Sequence, residues 1–169
     1  NGRALTHVVT GCHGMPDDVV DELFDACCRH AHDQLHEFSP HALCNFAKAV
    51  GKRTSRTDPM PRLRIFHAIG RAALPMLANG APEAVLSATD AVGLLQSLTS
   101  ACVEMRVVFV AGVEYLLPKL AQCSSSELAR LAWACAVASA DCRPLLQRVI
   151  SASRQRLAQL APQQMCNVL

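Results

Sequence analysis

Aromatic residues are scarce in this chain of 169, at 4% with one Trp and one Tyr, although 51% of it is hydrophobic. A core of that composition rests on Ala, Leu and Val, which pack helices closely and offer little for sheets. No stretch sustains the period-two alternation of a half-buried strand. The nine cysteines include no Cys-x-x-Cys pair. Cys44, Cys102, Cys135 and Cys166 stand at Ala-like positions within helical patterns, so they read as reduced thiols used as small apolar side chains in a reducing compartment. There is no glycine-rich phosphate loop, no Gly-x-Ser-x-Gly elbow and no pair of acids on a catalytic loop, which points to a non-enzyme without a cofactor. The longest apolar run, residues 107–117, is broken by Glu114 and is too short for a bilayer. No leading basic or apolar segment reads as a signal, and no membrane partner is expected.

What the chain does contain is a recurring phrase. Leu35-His36-Glu37-Phe38-Ser39-Pro40, Leu77-Ala78-Asn79-Gly80-Ala81-Pro82, Leu120-Ala121-Gln122-Cys123-Ser124-Ser125 and Leu157-Ala158-Gln159-Leu160-Ala161-Pro162 each place a Leu before a short polar gap and a new apolar helix. The four leucines lie 42, 43 and 37 residues apart, a period typical of two-helix repeats. The expected fold class is all-α, a right-handed α-solenoid of stacked helix–turn–helix repeats. One array is expected over residues 1–169: a partial repeat at 1–35, repeats at 36–78, 79–121 and 122–160, and a partial repeat at 161–169. Helices are expected near 1–11, 17–35, 40–51, 61–78, 82–101, 103–121, 125–139, 142–160 and from 162. Pro16, Pro40, Pro82, Pro144 and Pro162 fall at or near first-turn positions, where the missing N–H costs nothing. Pro75 and Pro118 fall late in a second helix and should disturb its last turn. The chain opens in what aligns as the tail of a first helix and stops two turns into another. The expectation is a fragment of a longer protein, because solenoids need polar caps.

Aligned on the leucines, the first helices read Leu43 to Val50, Val85 to Val92, Leu128 to Cys135 and Met165 to Leu169. This pattern resembles the Leu/Ser-Pro-Gln-x-Leu-Ala-Asn-x-x-Trp-Ala phrase of octatricopeptide-type organellar repeats. It is similar also to the helical repeats of FAST-kinase-like and RAP-domain proteins, of apicomplexan or algal type. Trp133 and Ala134 match the Trp-Ala, Asn45 and Asn167 the Asn, and Ser39-Pro40 and Ala161-Pro162 the helix start, while Ser87 and Asp90 replace Asn and Trp in the second aligned helix. The resemblance implies RNA binding in an organelle. The setting it implies is a mitochondrial matrix in preference to a plastid, as part of a ribosome or of ribosomal RNA maturation or stability, with neighbouring protein subunits as further partners and no DNA.

Charge gives a separate reason to consider RNA. Residues 48–71 hold Lys48, Lys52, Arg53, Arg56, Arg62, Arg64 and Arg71 against Asp58 alone, whereas residues 17–37 hold seven acids against Arg29. The net charge of +2 hides this dipole. A clustered basic stripe is the footprint of phosphate binding, and its plain alternative is a solvated face. The RNA reading places Lys52, Arg53, Arg56, Arg62 and Arg64 on phosphates, with Asn45, Lys48 and Arg130 nearer the bases and all of them along one edge. Arg143, Arg148, Arg154 and Arg156 form a second basic group. The competing reading is a protein–protein scaffold with another subunit's helix in its groove.

Other patterns carry less. His30, His32 and His36 put two imidazoles on one helix face, but no Cys or carboxylate completes a tetrahedral set, so no metal is assigned. Cys27-Cys28 reads as packing plus an exposed thiol, because neighbouring side chains on a helix diverge. Trp133 could stack on a base, yet its register with the family's recurring Trp favours repeat packing. None of the nine cysteines is expected to be disulfide-bonded or metal-bound. Alkylation of denatured protein without reductant, read by mass spectrometry, should modify all nine, and two or more blocked thiols would contradict the reducing compartment.

Overall fold

Leu43, Phe46, Ala47 and Val50 recur at three- and four-residue steps, as do Leu128, Leu131, Ala132 and Cys135, and every one of them is buried. That spacing lines one face of a helix and drives it onto a neighbour. The computed structural model describes residues 2–12, 17–52, 60–78, 86–101, 105–138 and 143–154. Among these residues there is no strand, and eight α-helices follow one another: α1 (Gly2–Gly11), α2 (Asp17–Gln34), α3 (Pro40–Lys52), α4 (Met60–Ala78), α5 (Ala88–Ser100), α6 (Arg106–Leu116), α7 (Ser125–Ala138) and α8 (Arg143–Arg154). The protein is all-α. Short 3-10 turns cover Leu35–Glu37 and Leu117–Gln122.

The helices pack in two successions. Among odd-numbered helices α3 lies against α1 and α5, and α5 against α7, while α4 lies against α2 and α6. Each odd helix up to α7 also touches the even helix that follows it. One continuous apolar core results, with Phe24, Phe46 and Phe66 among its largest fully buried side chains. Helix α5 is buried nearly all round, from Ala91 to Leu95 and again at Leu98, because α3, α6 and α7 all pack on it. Where α5 meets α6 the approach is close enough that a Cβ on Gly112 would stand 2.8 Å from Leu95 Cδ2.

The joint from a second helix into the next first helix is built alike at two places. The Leu35 carbonyl accepts the Phe38 N–H and the Leu120 carbonyl accepts the Cys123 N–H, each at 3.2 Å. Phe38 (φ −73°, ψ 133°) and Cys123 (φ −71°, ψ 139°) then turn the chain extended. Ser39 and Ser124 follow as caps, their hydroxyls accepting the N–H groups of Ala42 and Glu127 at 3.3 Å. Ser87 caps α5 in the same way, accepting the Asp90 N–H at 3.0 Å. The residues before these caps, Phe38, Leu86 and Cys123, are buried, as are Leu43, Ala91 and Leu128 four positions into each helix. This is the arrangement of a hydrophobic staple closing over a serine cap.

The structure corrects three boundaries. The fifth helix starts at Ala88 behind Ser87 and not at residue 82, since Ser87-Ala88-Thr89-Asp90 is itself a capping box and its serine has extended backbone (φ −65°, ψ 156°). Residues 79–85, with Pro82, lie outside the described residues. The sixth begins at Arg106 and gives way to a 3-10 turn at Leu117, because Pro118 cannot continue the α-helical ladder. Pro75, by contrast, sits inside α4, which runs on to Ala78. The eighth is described only from Arg143 to Arg154. The first correction changes the repeat register. Ser39, Ser87 and Ser124 are equivalent, so the helix aligned from Val85 is properly aligned from Ala91, and Ser87 and Asp90 are cap residues and not counterparts of Asn45 and Trp133.

Glu127 completes the cap of α7, taking the Ser124 N–H at 2.7 Å and the Ser124 hydroxyl at 2.8 Å. Burial works to raise its pKa, but hydrogen bonds from the Thr89 side chain and from Ser124, with the Arg130 charge, hold the carboxyl below its ordinary value. A depressed folded pKa contributes stability above the unfolded value of about 4.3 and loses it as the pH falls through the folded value. In urea titrations the advantage of the wild type over Glu127→Gln should therefore be greatest near neutrality and shrink steadily below about pH 4.3. Ser124→Ala should cost about 1 kcal/mol at neutral pH.

Candidate nucleic-acid interface

With the caps aligned, the three first helices present matching rows. The second helical position holds His41, Thr89 and Ser126; four residues on come Asn45, Gly93 and Arg130; then Lys48, Gln96 and Trp133; then Lys52, Ser100 and Val137. Steps of four, three and four residues keep these positions on one face of each helix. Apart from Gly93 all twelve are exposed or half-buried, whereas the intervening positions are mostly buried. Since α3, α5 and α7 lie in succession, the rows run from helix to helix. Trp133 is half-buried and packs on the core.

A network centred on Asp90 ties α3 to α5. The Asp90 side chain, 12% exposed, takes the Ser87 hydroxyl at 2.9 Å, His41 Nδ1 at 3.2 Å and Lys48 Nζ at 3.7 Å. His41 Nε2 lies 2.9 Å from Asn45 Nδ2. These contacts agree with a neutral imidazole that donates from Nδ1 to Asp90 and accepts at Nε2 from the Asn45 amide, which leaves the Asn45 carbonyl oxygen for another donor. Lys48 reaches the carboxylate across Gly93, where a Cβ would collide with the lysine Cε. The same motif recurs one helix on, where Thr89 of α5 bonds Glu127 of α7. In both cases the second residue of one first helix meets the carboxylate of the third residue of the next. Sequence reading passed over His41 and misread Asp90; the signal was the Ser-x-x-Asp box.

The described basic residues of 48–71 are divided between α3 and α4. Lys48 is drawn to Asp90, and Lys52 is exposed at the end of α3. Arg130 is half-buried on α7, its Nε 3.4 Å from the Ser126 carbonyl. Arg64 and Arg71 instead stand exposed on α4, in the other succession of helices, facing a cleft of about 540 Å³ toward α2. Arg53 and Arg56 lie outside the described residues, as does the side chain of Arg62. In the second basic group Arg148 and Arg154 are exposed on α8; the Arg143 side chain and Arg156 lie outside the described residues.

Among the described residues no three His, Cys, Asp or Glu side chains gather as a metal would require. His30, His32 and His36 are exposed. Cys27 is buried alongside Cys28, so the thiol expected to be exposed is not. Burial, with Asp25 nearby, pushes the Cys28 thiol up to about 12, and burial beside Asp90 does the same to Cys44, so both stay protonated and poorly nucleophilic. No helix among the described residues is long and apolar enough to cross a membrane. No protein-family model matches the chain, and no curated protein sequence matches it.

Because Asp90 serves a cap, a histidine and a lysine at once, its removal should outweigh that of any one partner. Asp90→Ala is expected to lower the unfolding free energy by about 1–2 kcal/mol. Lys48→Ala should cost less than about 1 kcal/mol, since that half-exposed pair is screened by solvent. Urea denaturation of the two variants checks the ranking; equal losses would mean that Asp90 acts only as the partner of Lys48.

Proposed function

We propose that this chain is an α-solenoid that binds single-stranded RNA on the face formed by α3, α5 and α7. The matching rows on successive first helices carry the reading: Asn45 and Arg130 in one row, with Gln96 and half-buried Trp133 in the next, offer hydrogen-bonding and stacking groups on neighbouring helices, which suits unpaired bases. Lys52 at the end of α3, continued in sequence by Arg53 and Arg56, supplies cations for the phosphates. Lys48, held by Asp90, serves the helix joint first. Stacking of helix pairs as a solenoid is supported by the separate successions of odd and even helices. The resemblance to octatricopeptide-type and RAP-associated repeats and the buried cysteines favour a mitochondrial matrix setting, as a ribosome component or a factor in ribosomal RNA maturation.

Fluorescence anisotropy with labelled single-stranded RNA over a salt series tests this. Asn45→Ala and Arg130→Ala should each weaken binding about five- to tenfold, a hydrogen bond's worth, and alter preference among RNA sequences. Lys52, Arg53 and Arg56 replaced together by Gln should weaken all sequences alike and flatten the log–log salt slope by about two units, at roughly 0.7 per lost phosphate contact. Unchanged affinity and slope in both sets would defeat the RNA reading and leave this face to a protein partner.

A further inference from the structure

The cleft between α2 and α4 is built differently from the first-helix face. Residues 64, 67 and 71 share one face of α4, residues 29, 32 and 33 share one face of α2, and the two faces meet around about 540 Å³. The floor is apolar, with Ile65 at 1% and Cys28 at 3% exposure. Arg29, Arg64, Arg71, His32 and His67 stand exposed around it, and among the described lining residues Asp33 is the one carboxylate. Asp33 is engaged on its own helix, 3.1 Å from His32 Nδ1. Among the described residues none of the three arginines has a carboxylate within ion-pair distance.

Three arginines from two helices therefore line one concave space, and none of them has a described carboxylate within ion-pair distance. The contrast with Lys48 is plain, since that cation is led across Gly93 to a carboxylate. Like charges gathered at a cleft raise its potential and concentrate anions there. Guanidinium forks match phosphate oxygens bidentately, and the volume is in the range of small-ligand sites, ample for more than one phosphoryl group. We propose that the α2/α4 cleft is a phosphate-binding site in which Arg29, Arg64 and Arg71 hold adjacent phosphoryl groups of a polyanion. The polyanion is either an RNA backbone crossing the second helices or the phosphate tail of a free nucleotide. The site stands on the cleft alone and does not need the first-helix face to bind RNA.

Sodium tripolyphosphate, titrated calorimetrically, and a labelled single-stranded RNA followed by anisotropy are the two probes. The proteins are the wild type, the triple variant Arg29→Gln, Arg64→Gln, Arg71→Gln, and Lys48→Gln as a control of equal charge type on the other face. All three substituted arginines are exposed, and circular dichroism confirms that helix content is kept. The wild type and Lys48→Gln should bind tripolyphosphate alike, and the triple variant at least about tenfold more weakly, as the loss of charge-assisted hydrogen bonds implies. A fall in the RNA salt slope by about two units in the triple variant would assign the phosphates to an RNA backbone. An unchanged RNA slope with tripolyphosphate binding lost would assign them to a free polyphosphate tail. The proposal is overturned if the wild type binds no tripolyphosphate, if the triple variant binds it as the wild type does, or if Lys48→Gln loses it equally. Those outcomes are independent of what Asn45→Ala and Arg130→Ala do to RNA affinity.

Discussion

Everything in this fold hangs on the capped joint that carries the chain from one helix pair into the next. A leucine carbonyl closes a 3-10 turn on a buried Phe38 or Cys123, and the serine after it takes an N–H of the new helix. The joint sets the direction in which the new helix leaves and places its apolar positions against the previous pair. Its reach extends further through the carboxylate at the third helical position. Asp90 and Glu127 each satisfy their own cap and also take a side-chain donor from the preceding first helix. One group thus fixes both the start of a helix and its offset from its neighbour, and that offset brings polar positions into rows across α3, α5 and α7.

The same acids decide where positive charge is available. Carboxylates at the starts of α5 and α7 complement the helix dipoles and remove those helix ends as places for an anion. Asp90 also draws Lys48 inward over Gly93. Among the described residues, exposed cations stand at the end of α3, in the cleft shared by α2 and α4, and on α8. Helix α2, strongly acidic over its first half, is formally neutral over its second, where Arg29 and His32 line the cleft with Arg64 and Arg71. The charge dipole along the chain is resolved in three dimensions into a basic cleft that takes residues from both of its halves.

All-helical character, the approximate number of helices and the periodic joint were legible from spacing, because burial of one helix face demands apolar residues every three or four positions whatever the partner. Serine caps were legible at Ser39 and Ser124, where Leu, gap and Ser coincide. The joint before α5 was not, because Pro82 and the Ser87-to-Asp90 box compete for the same helix start, and local preference alone does not rank them. The choice shifted one helix by six residues and turned two cap residues into supposed surface positions.

Composition and pattern by themselves determined that the protein is helical, that Cys44 and Cys135 are small apolar fillers, while Cys102 and Cys166 lie outside the described residues, and that positive charge clusters between residues 48 and 71. Only the tertiary structure decided which of those charges stand together. Lys48 and Arg64 are sixteen residues apart in sequence, yet they lie on helices of different successions, while Arg29, distant in sequence and set among acids, joins Arg64 and Arg71. The physical reason is that a helix turns its side chains through a full circle every 3.6 residues. Neighbours in sequence therefore scatter over several faces, and a site is made by the faces that packing brings opposite one another.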